Sequence, residues 1–425
     1  MYKYRKAKQI LEKYGQEQLL YFYNELEKEQ KEKLINQILK LDFEKIIKLY
    51  KNSYTSKNFE VDIKDISPIK HFEKELMKEE VLEEYRKIGE ESIRKNEVAV
   101  VTMAGGQGSR LGYKGPKGTY ELEIDEKKIS LYEILCNDLK RINIKYDISV
   151  YWYIMTSIEN NDATIKYFEE HNYFNYPKEN IKFFKQGNLP LIKIDGKLFL
   201  QEPYVIKEAS NGNGDVFKSL KKAGLISQME KNKIKYVSFG GIDNILLKNI
   251  DPLFLGMMIK EKYQIASKSI FKENPVDNIA IYCLKKNRPA ILDYDDITEE
   301  MSMKKFEDGT FCYREANMVS HIMTLNAIKD ASKLNLPYHR AFKKNAFVNE
   351  EGMKQVPDNP NSFKFESFIF DIFYYFDKML LLRVNEQEEF APIKSFNGPY
   401  NPDVAIEKYK RNRANYWFLA KNMIK

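Results

Sequence analysis

An apolar run, Val98–Ala104, breaks into a loop with glycines at 105, 106, 108 and 112, and Arg110 and Lys117 lie in the same stretch. The run reads as a buried strand. Glycine lets the chain after it approach phosphate oxygens closely and aim several N–H groups at them. Two cations in one loop suit a polyphosphate better than a neutral ligand. A strand that opens into such a loop is the usual nucleotide corner of an α/β sheet. The spacing excludes two common alternatives. Gly106, Gly108 and Gly112 give G-x-G-x-x-x-G, not the G-x-G-x-x-G of a dinucleotide fold. Lys117 follows a proline and precedes Gly118, where a P-loop needs Gly-Lys-Ser/Thr. A plain strand-to-helix turn needs neither four glycines nor two cations.

The rest of the chain bounds the class. A hydrophobic content of 43% in 425 residues supports a sizeable core. A charged content of 31% and a mean hydropathy of -0.56 point to a soluble protein. No apolar run approaches the ~18 residues of a membrane helix. The N-terminal Met-Tyr-Lys-Tyr-Arg-Lys lacks the apolar core of a signal peptide. Cysteines at 136, 283 and 312 form neither a disulfide framework nor a metal spacing. A cytoplasmic enzyme is expected. The net charge of +7 is spread along a lysine-rich chain. A nucleic-acid binder concentrates such charge in one stripe, so no nucleic-acid or membrane partner is expected. Histidines 71, 171, 321 and 339 form no ligand pattern and read as structural hydrogen-bonding residues.

Three segments are expected: a helical region over 1–95, a catalytic α/β domain over 96–390, and a short C-terminal segment over 391–425. Leu19, Leu20, Phe22, Tyr23 and Leu26, then Leu34, Ile35, Ile38 and Leu39, recur at helical spacing. A charged helix is expected over Phe72–Lys95. After Val98, strand-like runs alternate with helical stretches: Ile148–Met155, helix Asn161–Glu170, Ile181–Phe184 and Tyr236–Phe239. Further strands are expected at Asn278–Cys283 and Ala290–Tyr294. Helices are expected near Ala316–Ile328, Phe365–Leu382 and Pro402–Met423. Such alternation implies a mainly parallel sheet covered on both faces.

Loops that follow the strands of such a sheet gather at one edge and supply its site. Met155-Thr-Ser157 ends one strand with two hydroxyls, and Gln186-Gly-Asn-Leu-Pro190 follows another. Asn211-Gly-Asn-Gly-Asp215 opens a helix, where backbone N–H groups can meet an anion. Gly240-Gly-Ile-Asp-Asn244 ends a third strand with an acid. Asp243 is a candidate ligand for Mg2+, a hard cation that takes carboxylate and phosphate oxygens. Each loop alone is equally well read as turn or cap chemistry. Their recurrence after successive strands favours a site.

These residues resemble the eukaryotic-type UDP-sugar pyrophosphorylase family. The resemblance rests on Ala104–Gly112 with Pro116-Lys-Gly118, Trp152–Ser157, Gln186-Gly187, Asn211–Gly214, Asp243-Asn244, Asn317 with His321, Phe368–Phe373 and Glu389–Lys394. It runs from about residue 10 to 400. It implies a Rossmann-like, mostly parallel mixed sheet flanked by helices, the GT-A-like nucleotidyltransferase fold. It implies UTP and a sugar 1-phosphate as substrates, N-acetylglucosamine 1-phosphate foremost, UDP-sugar and pyrophosphate as products, and Mg2+ as cofactor. By the same resemblance, Gly105, Gly106 and Gln186 face the uracil. Gln107, Gly108, Gly187, Asn213 and Asp243 complete the nucleotide set, with Asp243 on the metal. Arg110, Lys117 and Lys394 neutralise phosphates. Asn213, Asp293, Asn317, Phe368 and Phe370 line the sugar pocket.

The departures bear on the sugar. Asp293 stands where the N-acetylhexosamine enzymes of the family carry glutamate, and Glu315-Ala-Asn317 replaces a small Gly-Asn loop. The chain ends soon after Lys394, so the family's C-terminal domain is expected to be largely missing. A glucose 1-phosphate or broad-specificity uridylyltransferase, and an inert nucleotide sensor, remain alternatives. No sequence feature sets an oligomeric state.

Overall fold

A computed structural model describes residues 2–55, 63–274, 277 and 279–423. Their contacts separate two compact units. One gathers the described residues of Met1–Glu60, Gly187–Asp215 and Leu336–Phe368; the other holds those of Val61–Gln186, Val216–Asn335 and Ile369–Lys425.

The larger unit is built on an eleven-stranded sheet. Its main strands are β1 (Val98–Met103), β2 (Tyr151–Thr156), β3 (Ile181–Lys185), β4 (Tyr236–Gly241), β5 (Ile265–Phe271), β6 (Ile281–Lys285), β7 (Arg288–Leu292), β8 (Glu315–Thr324) and β9 (Leu380–Arg383). The order from one end is β9-β5-β8-β4-β1-β2-β3, with the short strand Phe72–Glu73 beyond β9 and the β6–β7 hairpin branching from β8. β4, β1, β2 and β3 pair in parallel, as do β5 and β9. β8 runs antiparallel to both β4 and β5, which ties the two parallel groups together. The C-terminal ends of β1–β5 and β9 and the N-terminal end of β8 therefore share one edge.

All six residues of β1 are buried, as a central strand covered on both faces requires. Among the helices of the unit are α1 (Glu79–Arg94), α2 (Leu131–Tyr146), α3 (Asn161–Glu170), α4 (Pro252–Lys260), α5 (Leu325–Ala331) and α6 (Pro402–Met423). Trp152 on β2 is fully buried, and its indole N–H donates to Thr102 at 2.8 Å. Phe168 on α3 packs edge-on against Tyr132, with their centroids 4.9 Å apart. Helices α1 and α4 cross at two glycines. A Cβ on Gly89 would lie 1.9 Å from the Pro252 carbonyl oxygen, and one on Gly256 1.7 Å from that of Tyr85. This backbone contact draws the charged helix α1 into the sheet unit, although its sequence reads with the N-terminal helices.

Two expected helices are formed only in part and begin or end as strands. Near Ala316–Ile328 the chain forms β8 and becomes helical only from Leu325. Along Phe365–Leu382 it forms the strand Ser362–Glu366, a 3-10 stretch at Ile369–Tyr375, and β9. Both are apolar-rich stretches broken by scattered polar residues, whose periodicity does not distinguish a strand from a buried helix. Asn278, expected to open a strand, lies outside the described residues; β6 begins at Ile281. Helices α3 and α6 have the expected bounds.

The smaller unit has its own core, with Leu11, Leu19, Leu34, Ile38, Ile192, Leu198 and Phe365 buried together. Its helices are Tyr2–Tyr14, Lys28–Lys40 and Phe43–Thr55, while Leu19–Leu26 forms two short 3-10 turns rather than a helix. Among the described residues, no helix is long and apolar enough to cross a membrane.

Candidate active site

The loop after β1 is folded by its own backbone. Gly108 N–H donates to the Gly115 carbonyl at 3.0 Å, and Lys117 N–H to that of Gly106 at 3.1 Å. Gly112 closes the turn with φ +68°, a conformation glycine adopts without strain. Asn160, buried after β2, donates to the carbonyls of Ala104 at 2.9 Å and Gly106 at 3.2 Å, fixing the loop from behind. The sequence reading missed Asn160; its signal was the hydroxyl-rich turn just before it. Among the described residues, the N–H groups of Gly105, Gly106 and Gln107 have no hydrogen-bond partner, and Gly106 and Gln107 are exposed. Gly105 faces Gln186, and a Cβ there would meet the Gln186 amide at 2.3 Å. Two of the three residues expected on the uracil side are thus brought together.

The loop after β4 carries Asp243. Its carboxylate lies 3.7 Å from the Lys117 ammonium. The C-terminal segment is laced to this loop. Ile393 N–H donates to the Asp243 carbonyl at 2.9 Å, Ala391 N–H to the Asn244 side chain at 2.9 Å, and the Asn244 amide to the Glu389 carbonyl at 2.8 Å. A further bond, Phe396 N–H to the Arg110 carbonyl at 3.2 Å, joins the segment to the glycine loop. Lys394 is delivered to the same place. Burial lowers its pKa from the ordinary lysine value; Asp243 opposes that shift, while Lys117 and Arg110 add to it. Lys117 and Lys394 thus lie within electrostatic reach of Asp243, and Arg110 within reach of Lys394.

A buried ion network underlies this arrangement. Lys268 on β5, 1% exposed, lies 2.6 Å from Asp251 and 2.5 Å from Glu389, and Lys248 lies 2.8 Å from the other Glu389 oxygen. Burial works against the Asp251 charge, but Lys268 and Lys248 hold its pKa well below the usual carboxylate range. Glu389 belongs to a motif singled out in the sequence; Lys248, Asp251 and Lys268 carried no such signal.

Asn317 lies near the start of β8. β8 pairs with β4 up to Gly240↔Ser320, so Asn317 continues past the end of β4, toward the edge that carries Asp243. Leu292, just before Asp293, pairs with Ile281, and Ile281 pairs with Ala316. Asp293 accepts from its neighbour Tyr294 N–H at 2.8 Å, and Tyr294 lies within electrostatic reach of Arg110. Phe370 falls in the 3-10 stretch after residue 368. Gly187, Asn213 and Phe368 belong to the smaller unit. There Asp215 accepts from Gly187 N–H at 2.9 Å, and Gly214 N–H donates to the Ser367 carbonyl at 2.9 Å. The Phe368 ring stands 4.9 Å from His339.

His321 is buried and hydrogen-bonded to Ser267 at 2.8 Å. Burial pushes its pKa down to about 3, so it is neutral and serves packing. The Thr156 hydroxyl is engaged with Asn161 and the Phe184 carbonyl.

The sequence matches the profile of the UTP–glucose-1-phosphate uridylyltransferases over residues 41–399. It is 34% identical over 414 residues to UDP-N-acetylglucosamine pyrophosphorylase of Saccharomyces cerevisiae, covering 92% of this chain and 86% of that one. It is 31% identical over 407 residues to UDP-N-acetylglucosamine diphosphorylase 2 of Arabidopsis thaliana, covering 91% and 79%. The uridine diphosphate N-acetylglucosamine pyrophosphorylase of Trypanosoma brucei shares the fold, with a TM-score of 0.81 over 96% of this chain and 84% of that one at 23% identity. With its parallel sheet, glycine loop and clustered cations, the chain belongs to the UTP–glucose-1-phosphate uridylyltransferase family, nucleotidyltransferases that make a UDP-sugar and pyrophosphate from UTP and a sugar 1-phosphate.

Proposed function

We propose that this enzyme uses N-acetylglucosamine 1-phosphate and releases UDP-N-acetylglucosamine. The reaction class rests on one observation above all: Lys117 and Lys394 lie within electrostatic reach of Asp243, and Arg110 within reach of Lys394, beside a glycine loop whose N–H groups at 105–107 have no partner among the described residues. The sugar rests on the relatives, which carry that activity in their names at 34% and 31% identity.

In this reading a sugar-phosphate oxygen attacks the α-phosphorus of UTP in line. The new O–P bond forms as the α–β bridge breaks, and pyrophosphate leaves on the opposite side. The attacking oxygen is already ionised near pH 7, so no general base is needed. Bringing a phosphate anion to a triphosphate is electrostatically opposed, and positioning with charge neutralisation supplies most of the rate. Lys117 and Arg110 meet the triphosphate, and Lys394 the sugar phosphate. Gly105 and Gln186 frame the base, with Gly106, Gln107, Gly108, Gly187 and Asn213 completing the nucleotide set. Asp293, Asn317, Phe368 and Phe370, with Asn213, take the sugar by the same family resemblance.

We assign Mg2+ as cofactor. A single carboxylate among cations fits a hard ion held mainly by substrate phosphates and water. Asp243 would hold it, and when bound it would neutralise phosphate charge. We also assign the activity to the cytoplasm, which the three free thiols favour.

A glucose 1-phosphate preference is the second reading. It is favoured by Asp293, a short carboxylate that already accepts a local N–H. Initial rates with the 1-phosphates of glucose, galactose, N-acetylglucosamine and N-acetylgalactosamine decide between them. The highest kcat/KM is expected for N-acetylglucosamine 1-phosphate; a preference for glucose 1-phosphate overturns the assignment.

A further inference from the structure

Val319 on β8 has φ +56°. A β-branched residue in the left-handed region is strained, by about 1–3 kcal/mol, and surrounding structure must hold it there. The twist turns its N–H back onto the Asn317 side chain, which accepts it through Oδ1 at 2.9 Å. The same Oδ1 accepts a second bond, from the Tyr282 hydroxyl on β6, also at 2.9 Å. Tyr282 is 1% exposed and stacks on Phe373 with centroids 6.4 Å apart, so its hydroxyl is fixed by packing. Burial raises its pKa and keeps it a neutral donor.

The Val319 N–H decides which way the amide points, because it can only donate: a flipped amide would set its NH2 against that N–H and lose the bond. The Tyr282 hydroxyl, which can also accept, holds the amide in place rather than setting its direction. Nδ2 of Asn317 has no partner among the described residues, and both of its hydrogens are left for a ligand. We infer that Tyr282, with the strained Val319, is a positioning residue that locks Asn317 as a hydrogen-bond donor, so that this part of the site selects a sugar bearing a carbonyl acceptor, an acetamide, over one bearing only a hydroxyl. A hydroxyl both donates and accepts, so it pairs with either face of an amide. An acetamide carbonyl only accepts and depends on the lock. The inference rests on the sugar assignment above.

The test compares N-acetylglucosamine 1-phosphate with glucose 1-phosphate in the intact enzyme and in Tyr282→Phe. Loss of one hydrogen bond to a positioned amide is expected to lower kcat/KM for the N-acetylated substrate on the order of tenfold. The rise should fall in its KM. The KM for UTP and kcat/KM for glucose 1-phosphate should stay within about twofold. An unchanged substrate ratio in Tyr282→Phe, or an equal loss with both sugars, overturns the lock. A wild type that prefers glucose 1-phosphate overturns the sugar assignment instead. The lock is then read without any sugar, from a neutron structure of the wild type. Oδ1 should face Tyr282; Nδ2 in that position overturns it.

Discussion

The Lys117 ammonium lies 3.7 Å from the Asp243 carboxylate, and the two side chains come from loops that follow neighbouring parallel strands. At this distance, and with both side chains in partial contact with solvent, the pair adds little stability, on the order of 0–1 kcal/mol. In the proposed reading its value is electrostatic: it holds a cation ready where a triphosphate would bring negative charge.

Lys117→Ala is therefore expected to separate catalysis from folding. Loss of one preorganised cation lowers kcat by roughly 100- to 1000-fold. The fold persists, because the bond from Lys117 to Gly106 is made by the backbone N–H. Steady-state pyrophosphate release and a thermal melt test this. Near-wild-type turnover, or a collapsed melt, contradicts the assigned role.

Lys394 makes a prediction about pH. Burial lowers its folded-state pKa below the ordinary lysine value. The charged form is the active one, so kcat/KM should fall as pH rises through that lowered value. Bound phosphates favour the charge, so the limb should lie higher in kcat than in kcat/KM. Lys394→Arg should remove the limb from the accessible range. For stability the sign is opposite. Between the lowered folded pKa and the unfolded value the unfolded chain binds more protons, so this group's contribution to stability rises with pH. A pH–rate profile that coincides for wild type and Lys394→Arg argues against the assignment.

The glycine loop and Asp243 stood out in the sequence because turn chemistry and charge are local signals, whereas Lys394 was named only through the family resemblance. The strand pattern was legible where apolar runs are short and bounded by loops, as at β1 to β4. It failed at β8 and the segment before β9, where long apolar stretches fit either period and only pairing with β4 and β5 decides. Lys268 and Asp251 were invisible for a related reason. A lysine in an apolar strand reads as an edge residue until the fold places two carboxylates beside it. Tyr282 likewise carries no sequence signal for the bond that its hydroxyl makes to Asn317.

Asp243→Asn tests the metal assignment. The amide keeps the shape and an oxygen donor but removes the charge that a hard cation prefers. The Mg2+ concentration for half-maximal activity should rise about tenfold or more, with the melting temperature close to wild type. An unchanged Mg2+ titration would place the metal elsewhere.

The network around Lys268 predicts a stability effect with a functional echo. Lys268→Met removes the ammonium from between Asp251 and Glu389 and leaves two acids in a dry site with only Lys248 near Glu389. Breaking a buried pair by removing one partner costs about 3–5 kcal/mol. The native Asp251 carboxylate has a lowered pKa, so its stabilising contribution is present above the unfolded value and is lost as pH falls through the folded one. Without Lys268 that folded value rises, and acid unfolding should begin at higher pH than in the wild type. Because Glu389 anchors the segment that carries Lys394, the folded fraction of the variant should also show a raised KM for the sugar phosphate. Chemical denaturation at neutral pH, repeated as an acid titration, reads the first two effects. A variant as stable as wild type at both would mean that the ion network contributes no net stability to the loop it underlies.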